Sequence, residues 1–177
     1  MIKVEEFQSG RDLGRARLCR FTRKAFQLLP RLDRPCILDV GCGSGVATIE
    51  LAKLCDGQIV ALDINEHDLN RLASKTKKEG LSHRVSTLKC SMLDMKFPND
   101  SFDMIWAEGS IYVIGFERGL RGWARFLRTN GFLVVHDEMG NIGEKLSHIS
   151  SKGMIYSIIS CWIKTFGGMT TTLLYRD

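Results

Sequence analysis

One stretch decides how this chain folds: Cys36-Ile37-Leu38-Asp39-Val40-Gly41-Cys42-Gly43-Ser44-Gly45. Its apolar run from Ile37 to Val40 predicts a buried strand, and the three alternate glycines that follow lead into a helix near Val46. Glycine is needed where the backbone takes a positive φ or where a ligand leaves no room for a Cβ. The first N–H groups of the next helix have no partners within that helix. The stretch therefore predicts a nucleotide-type binding loop.

The spacing of the glycines restricts the kind of nucleotide. A dinucleotide-binding loop follows G-x-G-x-x-G, but Val46 occupies the place of the third glycine of that pattern. No G-x-x-x-x-G-K-S/T sequence is present, which excludes a triphosphate-binding loop. A second acidic residue, Asp63, ends the next apolar run, residues 59–62. An ionised carboxylate at that place accepts hydrogen bonds from both hydroxyls of a ribose.

These residues resemble the class I S-adenosylmethionine-dependent methyltransferases. The glycine loop of that family has the pattern D-x-G-x-G-x-G, which residues 39–45 match, and its ribose-binding acid matches Asp63. The resemblance implies S-adenosyl-L-methionine as the cofactor. It also implies a set of cofactor-binding residues at the ends of successive strands: Asp39, Gly41, Cys42, Gly43, Gly45, Asp63, Ile64, Ser91, Met92 and Glu108. The alternative is an ordinary strand-turn-helix corner. The presence of both the glycine loop and a second acid argues against it.

Length and composition indicate one globular domain. The chain has 177 residues, of which 44% are hydrophobic and 25% charged, enough for a single core. No apolar run reaches the length of a membrane span, and residues 1–6 lack the core of a signal peptide. The six cysteines include no C-x-x-C pair, so we expect free thiols in a reducing cytoplasm and no metal site. The net charge of +5 permits a nucleic acid partner without requiring one.

Strand-like and helix-like segments alternate along the chain. Predicted strands cover residues 37–40, 58–64, 85–90, 102–106 and 132–136, and predicted helices cover 11–29, 46–55, 66–80 and 116–127. This order predicts an α/β fold, a doubly wound and mostly parallel sheet with helices on both faces. Ligands of such sheets bind beyond the carboxyl ends of the strands. We expect one domain made of an N-terminal helical cap (1–33), a cofactor-binding core (34–153) and a tail (154–177).

Further segments resemble one subgroup, the type 11 methyltransferases that are similar to enzymes of ubiquinone and menaquinone biosynthesis. Residues 91–98 stand at the place of the subgroup's D-A-x-x-L-P-F, whose first residues lie along the adenine, with Ser91 replacing the usual acid. Residues 106–112 and 115–120 resemble its signature after the fourth strand, where the family's substrate pocket opens. The D/N/S-P-P-Y/F motif of methyltransferases for adenine or glutamine is missing. The resemblance covers roughly residues 34–153 and says little about the substrate.

The tail departs from the subgroup, whose members end in an acidic, aromatic segment with a double tryptophan. Another reading frame of the possible codons for residues 154–177 permits Y-D-L-L-D-Y-F-L-L-D-K-D-V-W-W-N-D-Y-Y-P-L, which resembles that segment. One hypothesis is therefore a frameshift near Gly153, which the genomic DNA sequence tests. The alternative is that residues 154–163 and 170–175 are the last two strands, preceded by a helix over 141–152.

The first predicted helix is basic and amphipathic, and it ends before Pro30. Its cations are Arg11, Arg15, Arg17, Arg20, Arg23 and Lys24, and apolar side chains are interleaved with them. A lid or clamp for an acidic substrate is one interpretation. A solvated basic face over an apolar stripe is the favoured one.

Methyl transfer depends on alignment, because the methyl group is already activated by a positive sulfur. Alignment can lower the barrier by roughly 7–11 kcal/mol, and a general base adds about 10²–10⁴-fold where the acceptor arrives protonated. The catalytic candidates near strand ends are Glu108, Tyr112 and His136. For His136 a partly buried, hydrogen-bonded histidine is the favoured alternative, and Glu108 suits a contact with either cofactor or substrate.

The leading prediction is a cytoplasmic methyltransferase with a small-molecule acceptor. An RNA methyltransferase that uses the basic N-terminal helix is one alternative, which the modest charge and the lack of an RNA-binding motif disfavour. A non-catalytic remnant that binds S-adenosylmethionine is another. Val46 argues against an NAD-dependent oxidoreductase. The sequence identifies neither the methyl acceptor nor the oligomeric state.

Overall fold

A computed structural model describes residues 12–138, 155–165 and 168–176, with side chains described for residues 12–136. The helices are α1 (Cys19–Gln27), α2 (Val46–Leu54), α3 (Glu66–Lys78) and α4 (Phe116–Trp123), and a short helical segment, residues 12–16, precedes α1. The strands are β1 (Cys36–Val40), β2 (Gln58–Asp63), β3 (Val85–Lys89), β4 (Phe102–Glu108), β5 (Leu127–Glu138), β6 (Ile155–Thr165) and β7 (Gly168–Arg176). Short 3-10 turns cover Ile111–Val113 and Ala124–Phe126.

The strands form one seven-stranded sheet in the order β3-β2-β1-β4-β5-β7-β6. Strands β1 to β5 pair in parallel, and β7 pairs antiparallel with both β5 and β6. The predicted α/β fold with a mostly parallel sheet is confirmed. The strand order reverses between β1 and β4, and open α/β sheets bind ligands beyond the carboxyl ends of the strands at such a switch point. The glycine loop lies at this place, because it directly follows β1.

Strand β1 sends alternate side chains into two apolar layers, one on each face of the sheet. Ile37 packs in the layer that contains Phe21 of α1 and Leu51 of α2. Leu38 packs in the opposite layer, with Trp123 of α4. Both β1 side chains are completely buried. Burial on both faces explains why the strand is a continuous apolar run, as is usual for parallel sheets that helices cover.

Helix α3 begins directly after Asn65, whose side chain caps it. The side chain of Asn65 accepts hydrogen bonds from the backbone N–H groups of His67 and Asp68, which lack partners within the helix. Lys77 and Lys78 lie in the last turn, where positive charge is favourable. Gly80, with a φ of +70°, stops the helix. This helix therefore starts immediately after β2 and fixes the direction of the chain beyond Asp63.

Three predicted boundaries are wrong, and one of them is the end of the helix predicted over residues 116–127, which stops at Trp123 before a 3-10 turn. The helix predicted over residues 11–29 is interrupted by a turn at residues 17–18, where the Leu18 N–H bonds to the Arg15 carbonyl, three residues back, at 2.8 Å. The last predicted strand starts earlier, at Leu127, and its pairing with β4 is irregular up to residue 132. Asn130, at a φ of +63°, lies within this irregular part of β5.

Strands β6 and β7 occupy most of the tail. β7 pairs with β5 from Phe132↔Arg176 to Glu138↔Thr170, and β6 pairs with the other edge of β7. These are the two final strands that the alternative to a frameshift predicts. The frameshift hypothesis itself stays a prediction, because backbone pairing does not report on the reading frame of the gene. The helix predicted over residues 141–152 lies outside the described residues.

The burial of β1 on both faces of the sheet predicts how a substitution in this strand changes stability. Leu38 is completely buried, whereas Leu28, just past α1, is 55% exposed. We expect Leu38→Ala to lower the free energy of unfolding by about 2–5 kcal/mol, because it removes buried contacts and leaves a cavity. The matched control Leu28→Ala should cost less than about 1 kcal/mol. Urea unfolding followed by circular dichroism measures both, and equal losses would contradict the assignment of β1 to the centre of the core.

Candidate functional site

The glycine loop between β1 and α2 is closely packed on two sides. Gly41, Gly43 and Gly45 have φ values of +73°, +53° and +76°. A Cβ at Gly41 would lie 2.5 Å from the Cβ of Ser110, in the turn after β4. A Cβ at Gly45 would lie 2.1 Å from a methyl group of Leu72 in α3. Only glycine fits at these two positions, because it adopts the left-handed backbone conformation and has no Cβ to collide with the neighbouring side chains.

Hydrogen bonds tie the loop to the end of β2. The N–H groups of Gly41 and Cys42 donate to the Leu62 carbonyl at 2.8 and 3.0 Å. The Gly43 N–H donates to Oδ2 of Asp63 at 2.8 Å, and the Asn65 N–H donates to Oδ1 at 2.9 Å. An ionised carboxylate accepts about four hydrogen bonds. The half-buried Asp63 carboxylate is therefore held in one orientation with acceptor capacity left for a ligand.

Asp39 is a buried carboxyl group at the end of β1. It is 1% exposed, and Oγ1 of Thr48 donates to its Oδ2 at 2.6 Å. Burial raises the pKa of Asp39 from its ordinary value of 3.8 to about 7, and the hydrogen bond from Thr48 opposes this rise. The negative charges of Glu108 and Asp63 raise the pKa further, while the positive charge of Arg15 lowers it. A positive ligand group beside Asp39 would therefore favour its ionised form.

Glu108 is held at the end of β4 by three different elements. Its Oε2 accepts hydrogen bonds from Oγ1 of Thr22 in α1 at 3.0 Å and from Nε1 of Trp106 at 3.1 Å. Its Oε1 lies 3.9 Å from Nδ1 of His136 in β5. Thr22 is itself 1% exposed. These contacts fix the carboxylate with one oxygen bound by two donors and the other facing the histidine.

The three catalytic candidates are not all together. Glu108 and His136 are neighbours, and His136 is 5% exposed with the ring of Phe21 against it in an edge-on arrangement, 6.0 Å between ring centroids. This surrounding suits the structural role that was the favoured interpretation of His136. Tyr112 lies instead in the 3-10 turn after β4 and is 66% exposed. The tyrosine therefore faces solvent, while the other two are enclosed.

The residues predicted to contact an adenine lie after β2 and β3. Oγ of Ser91 accepts from the Leu93 N–H at 3.2 Å, so this hydroxyl stabilises its own turn. The terminal methyl group of Met92 lies 3.5 Å from the place of a Cβ at Gly41, which brings this segment to the glycine loop. Ile64 is 66% exposed next to Asp63. An exposed apolar side chain beside a carboxylate offers a surface for a flat base.

Cys42 fills space in the loop. It is 6% exposed and packs with Leu69 and Leu72 of α3. Burial, then the nearby carboxylates of Asp39 and Asp63, strongly raises the pKa of its thiol. The thiol therefore stays protonated and unreactive. Among the described residues, no group of three or more His, Cys, Asp and Glu side chains is placed to hold a metal ion.

The site residues predicted from the sequence do not include three residues that the structure brings to the site, all in the N-terminal cap. Asp12 pairs with Arg71 and Lys75 of α3, Arg15 lies against Gly43, and Thr22 holds Glu108. Asp12 carried a signal, since it is the only acid between residues 11 and 29. Thr22 carried none, because one sequence does not distinguish a buried threonine from an exposed one.

Comparison with known proteins gives a consistent result. Residues 37–131 match the family model described as a methyltransferase domain. A sterol 24-C-methyltransferase, erg6 of Aspergillus fumigatus, is 34% identical over 102 residues, which are 57% of this chain and 27% of that protein. The methyltransferase GfsG of Streptomyces halstedii is 33% identical over 119 residues, 65% of this chain and 43% of that one. The matched part thus spans about a quarter of the sterol enzyme's length.

A solved structure shares the fold. The geranyl diphosphate C-methyltransferase of Streptomyces coelicolor A3(2), in complex with Mg²⁺, geranyl-S-thiolodiphosphate and S-adenosyl-L-homocysteine, superposes with a TM-score of 0.76. The superposition covers 89% of this chain and 75% of that structure at 13% identity. At that identity the likeness concerns the arrangement of helices and strands.

Asp39 predicts how stability depends on pH. Between pH 3.8 and about 7 the folded chain keeps a proton on Asp39 that the unfolded chain has released. The free energy of unfolding should therefore decrease as pH rises through this window, by on the order of 2–4 kcal/mol, and not change further above it. Urea unfolding at about pH 5 and about pH 8 measures the difference.

The variant Asp39→Asn lacks this titration, so its stability should fall less between the two pH values than that of the wild type. Asp56→Asn, at an exposed position, serves as the matched control and should retain the wild-type slope. If Asp39→Asn and the wild type show the same slope, the carboxyl is ionised in the folded chain and the assignment fails.

Proposed function

The chain belongs to the methyltransferase-domain family, and from this premise we propose that it transfers a methyl group from S-adenosyl-L-methionine to a small-molecule acceptor. One observation carries the proposal. The left-handed glycine loop after β1 donates directly to the carboxylate of Asp63 at the end of β2, at 2.8 Å. This places a glycine-rich loop next to an oriented acid, the combination that a nucleoside with two ribose hydroxyls requires.

The residues present fit such a cofactor. Asp63 would accept hydrogen bonds from the ribose, and Ile64, Ser91 and Met92 would line the adenine. Asp39 and Glu108 would attract the ammonium group of the amino-acid part. When bound, the cofactor supplies a methyl group on a positively charged sulfur. The carboxylates at the edge of the sheet favour a positive ligand, because two of the three are largely buried and poorly screened by water.

The chain's own contribution is positioning and, for some acceptors, proton transfer. Glu108 accepts hydrogen bonds from Thr22 and Trp106, so contacts within the chain orient its carboxylate. For an acceptor that arrives protonated, we propose that Glu108 takes up the proton and that His136, with Nδ1 3.9 Å from Oε1, holds this carboxylate in position. Tyr112, exposed after β4, would contact the acceptor.

A small, largely apolar acceptor is the class we favour. Relatives and a structural neighbour are named for sterol and geranyl diphosphate substrates. Tyr112 and Val113, in the turn after β4, are 66% and 63% exposed, which supports an apolar contact there. The acceptor itself is left open.

An RNA acceptor is less well supported, because the net charge is modest and one cation of the N-terminal cap is neutralised within the chain. Arg23 pairs with Glu50 of α2. No helix among the described residues is both long and apolar enough to cross a membrane. A cytoplasmic location stays a prediction, based on the pattern of cysteines.

Asp63 provides the direct test of cofactor binding. We expect calorimetry to show that the wild type binds S-adenosylhomocysteine and that Asp63→Ala binds it about 10- to 100-fold more weakly, because charged hydrogen bonds to the ribose are lost. The matched control Asp56→Ala, an exposed acid in the loop before β2, should bind as the wild type does.

Because Asp63 also accepts two backbone hydrogen bonds, the unfolding curve of each variant accompanies its titration. An Asp63→Ala variant that is folded and binds with unchanged affinity would show that the ribose lies elsewhere. A folded wild type that binds no S-adenosylhomocysteine would overturn the proposed function.

A further inference from the structure

The N-terminal segment, residues 12–16, is anchored to the glycine loop and to α3 through Asp12. The Asp12 carboxylate accepts hydrogen bonds from Nη2 of Arg71 at 2.7 Å, Nζ of Lys75 at 2.9 Å and Oγ of Ser44. Partial burial raises the pKa of Asp12, but the bonds from Ser44 and Lys75 and the nearby cations outweigh this and lower it. Lys75 also donates to the Ser44 carbonyl at 2.9 Å. One carboxylate thus joins three parts of the chain.

This anchor places Arg15 directly over the loop. Positions three residues apart share one face of a helix, so Arg15 points to the same side as Asp12. Its Nη1 lies 2.5 Å, and its Cζ 3.6 Å, from the place that a Cβ at Gly43 would occupy. The guanidinium group therefore fills space that exists only because residue 43 is glycine.

The position of Arg15 is electrostatically incomplete. No carboxylate among the described residues forms an ion pair with it, although the buried Asp39 senses its charge. The group lies beside the start of α2, whose first N–H groups carry partial positive charge and have no side-chain cap. Two positive features beside the same loop favour an anion there.

We propose that Arg15 binds the α-carboxylate of the amino-acid part of S-adenosylmethionine and S-adenosylhomocysteine, with Asp12 as the residue that positions it. This inference rests on the proposed function. The amino-acid part carries one negative and one positive group. Arg15 and the first N–H groups of α2 supply positive charge for the carboxylate. The acids at the ends of β1 and β4 supply negative charge for the ammonium group. A guanidinium offers five N–H donors, enough to bind a carboxylate through two of them.

The test compares two ligands by calorimetry. One is S-adenosylhomocysteine, and the other is its decarboxylated analogue, which keeps the adenosine, the sulfur and the amine. We expect Arg15→Met to weaken binding of S-adenosylhomocysteine about 10- to 100-fold and to change binding of the analogue by less than about threefold. Arg17→Met, at an exposed position in the turn that follows this segment, is the matched control and should leave both affinities unchanged.

Asp12→Asn tests the positioning role. This variant should reduce the preference for S-adenosylhomocysteine over its decarboxylated analogue, because Arg15 is no longer held over Gly43. Arg15→Lys should restore part of the preference that is lost in Arg15→Met. Equal weakening for both ligands would mean that the segment is only a lid, and tighter binding would mean that Arg15 blocks the site. Either outcome overturns the inference while leaving the proposed function intact. A folded wild type that binds neither ligand overturns both.

Discussion

The packing of the glycine loop is the constraint on which the rest of the site depends. Ser110, from the turn after β4, and Leu72, from α3, occupy the places that side chains at positions 41 and 45 would need. The loop can therefore lie only where β4 and α3 converge on the end of β1. The consequence is that Asp63, which precedes α3, and Glu108, which ends β4, have fixed positions relative to the loop. A rigid arrangement of this kind is what catalysis by alignment requires.

Charge is distributed over the site in two opposed groups. Asp39, Asp63 and Glu108 form a negative edge along neighbouring strands, and burial of Asp39 raises its pKa to about 7. Arg15 supplies positive charge from the other side, held there through Asp12. Such a site is complementary to a zwitterion, and it is more selective than a uniformly charged pocket because each end of the ligand meets its opposite. The N-terminal cap thus has an electrostatic role in addition to covering the apolar layer.

The elements that depend on local sequence were predictable and those that depend on tertiary contacts were not. The strand ends at Asp39 and Asp63 follow from apolar runs that stop at an acid, and the Asn65 cap follows from its side chain. The turn at residues 17–18 and the contacts of Arg15 depend on how the N-terminal cap folds back onto α3, for which a single sequence holds no pattern. A basic amphipathic helix also has an ordinary explanation as a solvated face, and the structure distinguishes Arg15 from Arg17 only through their surroundings.

The central claim is that the glycine loop and the acid after it form the cofactor site, and nuclear magnetic resonance tests it most directly. Amide resonances of ¹⁵N-labelled protein would be followed while S-adenosylhomocysteine is added, with NAD added to a second sample. We predict shifts for the S-adenosylhomocysteine sample that centre on residues 41–45 and 63–65 and extend to 91–92, with none for NAD at these residues. Shifts elsewhere, or a response of the glycine loop to NAD instead, would contradict the account.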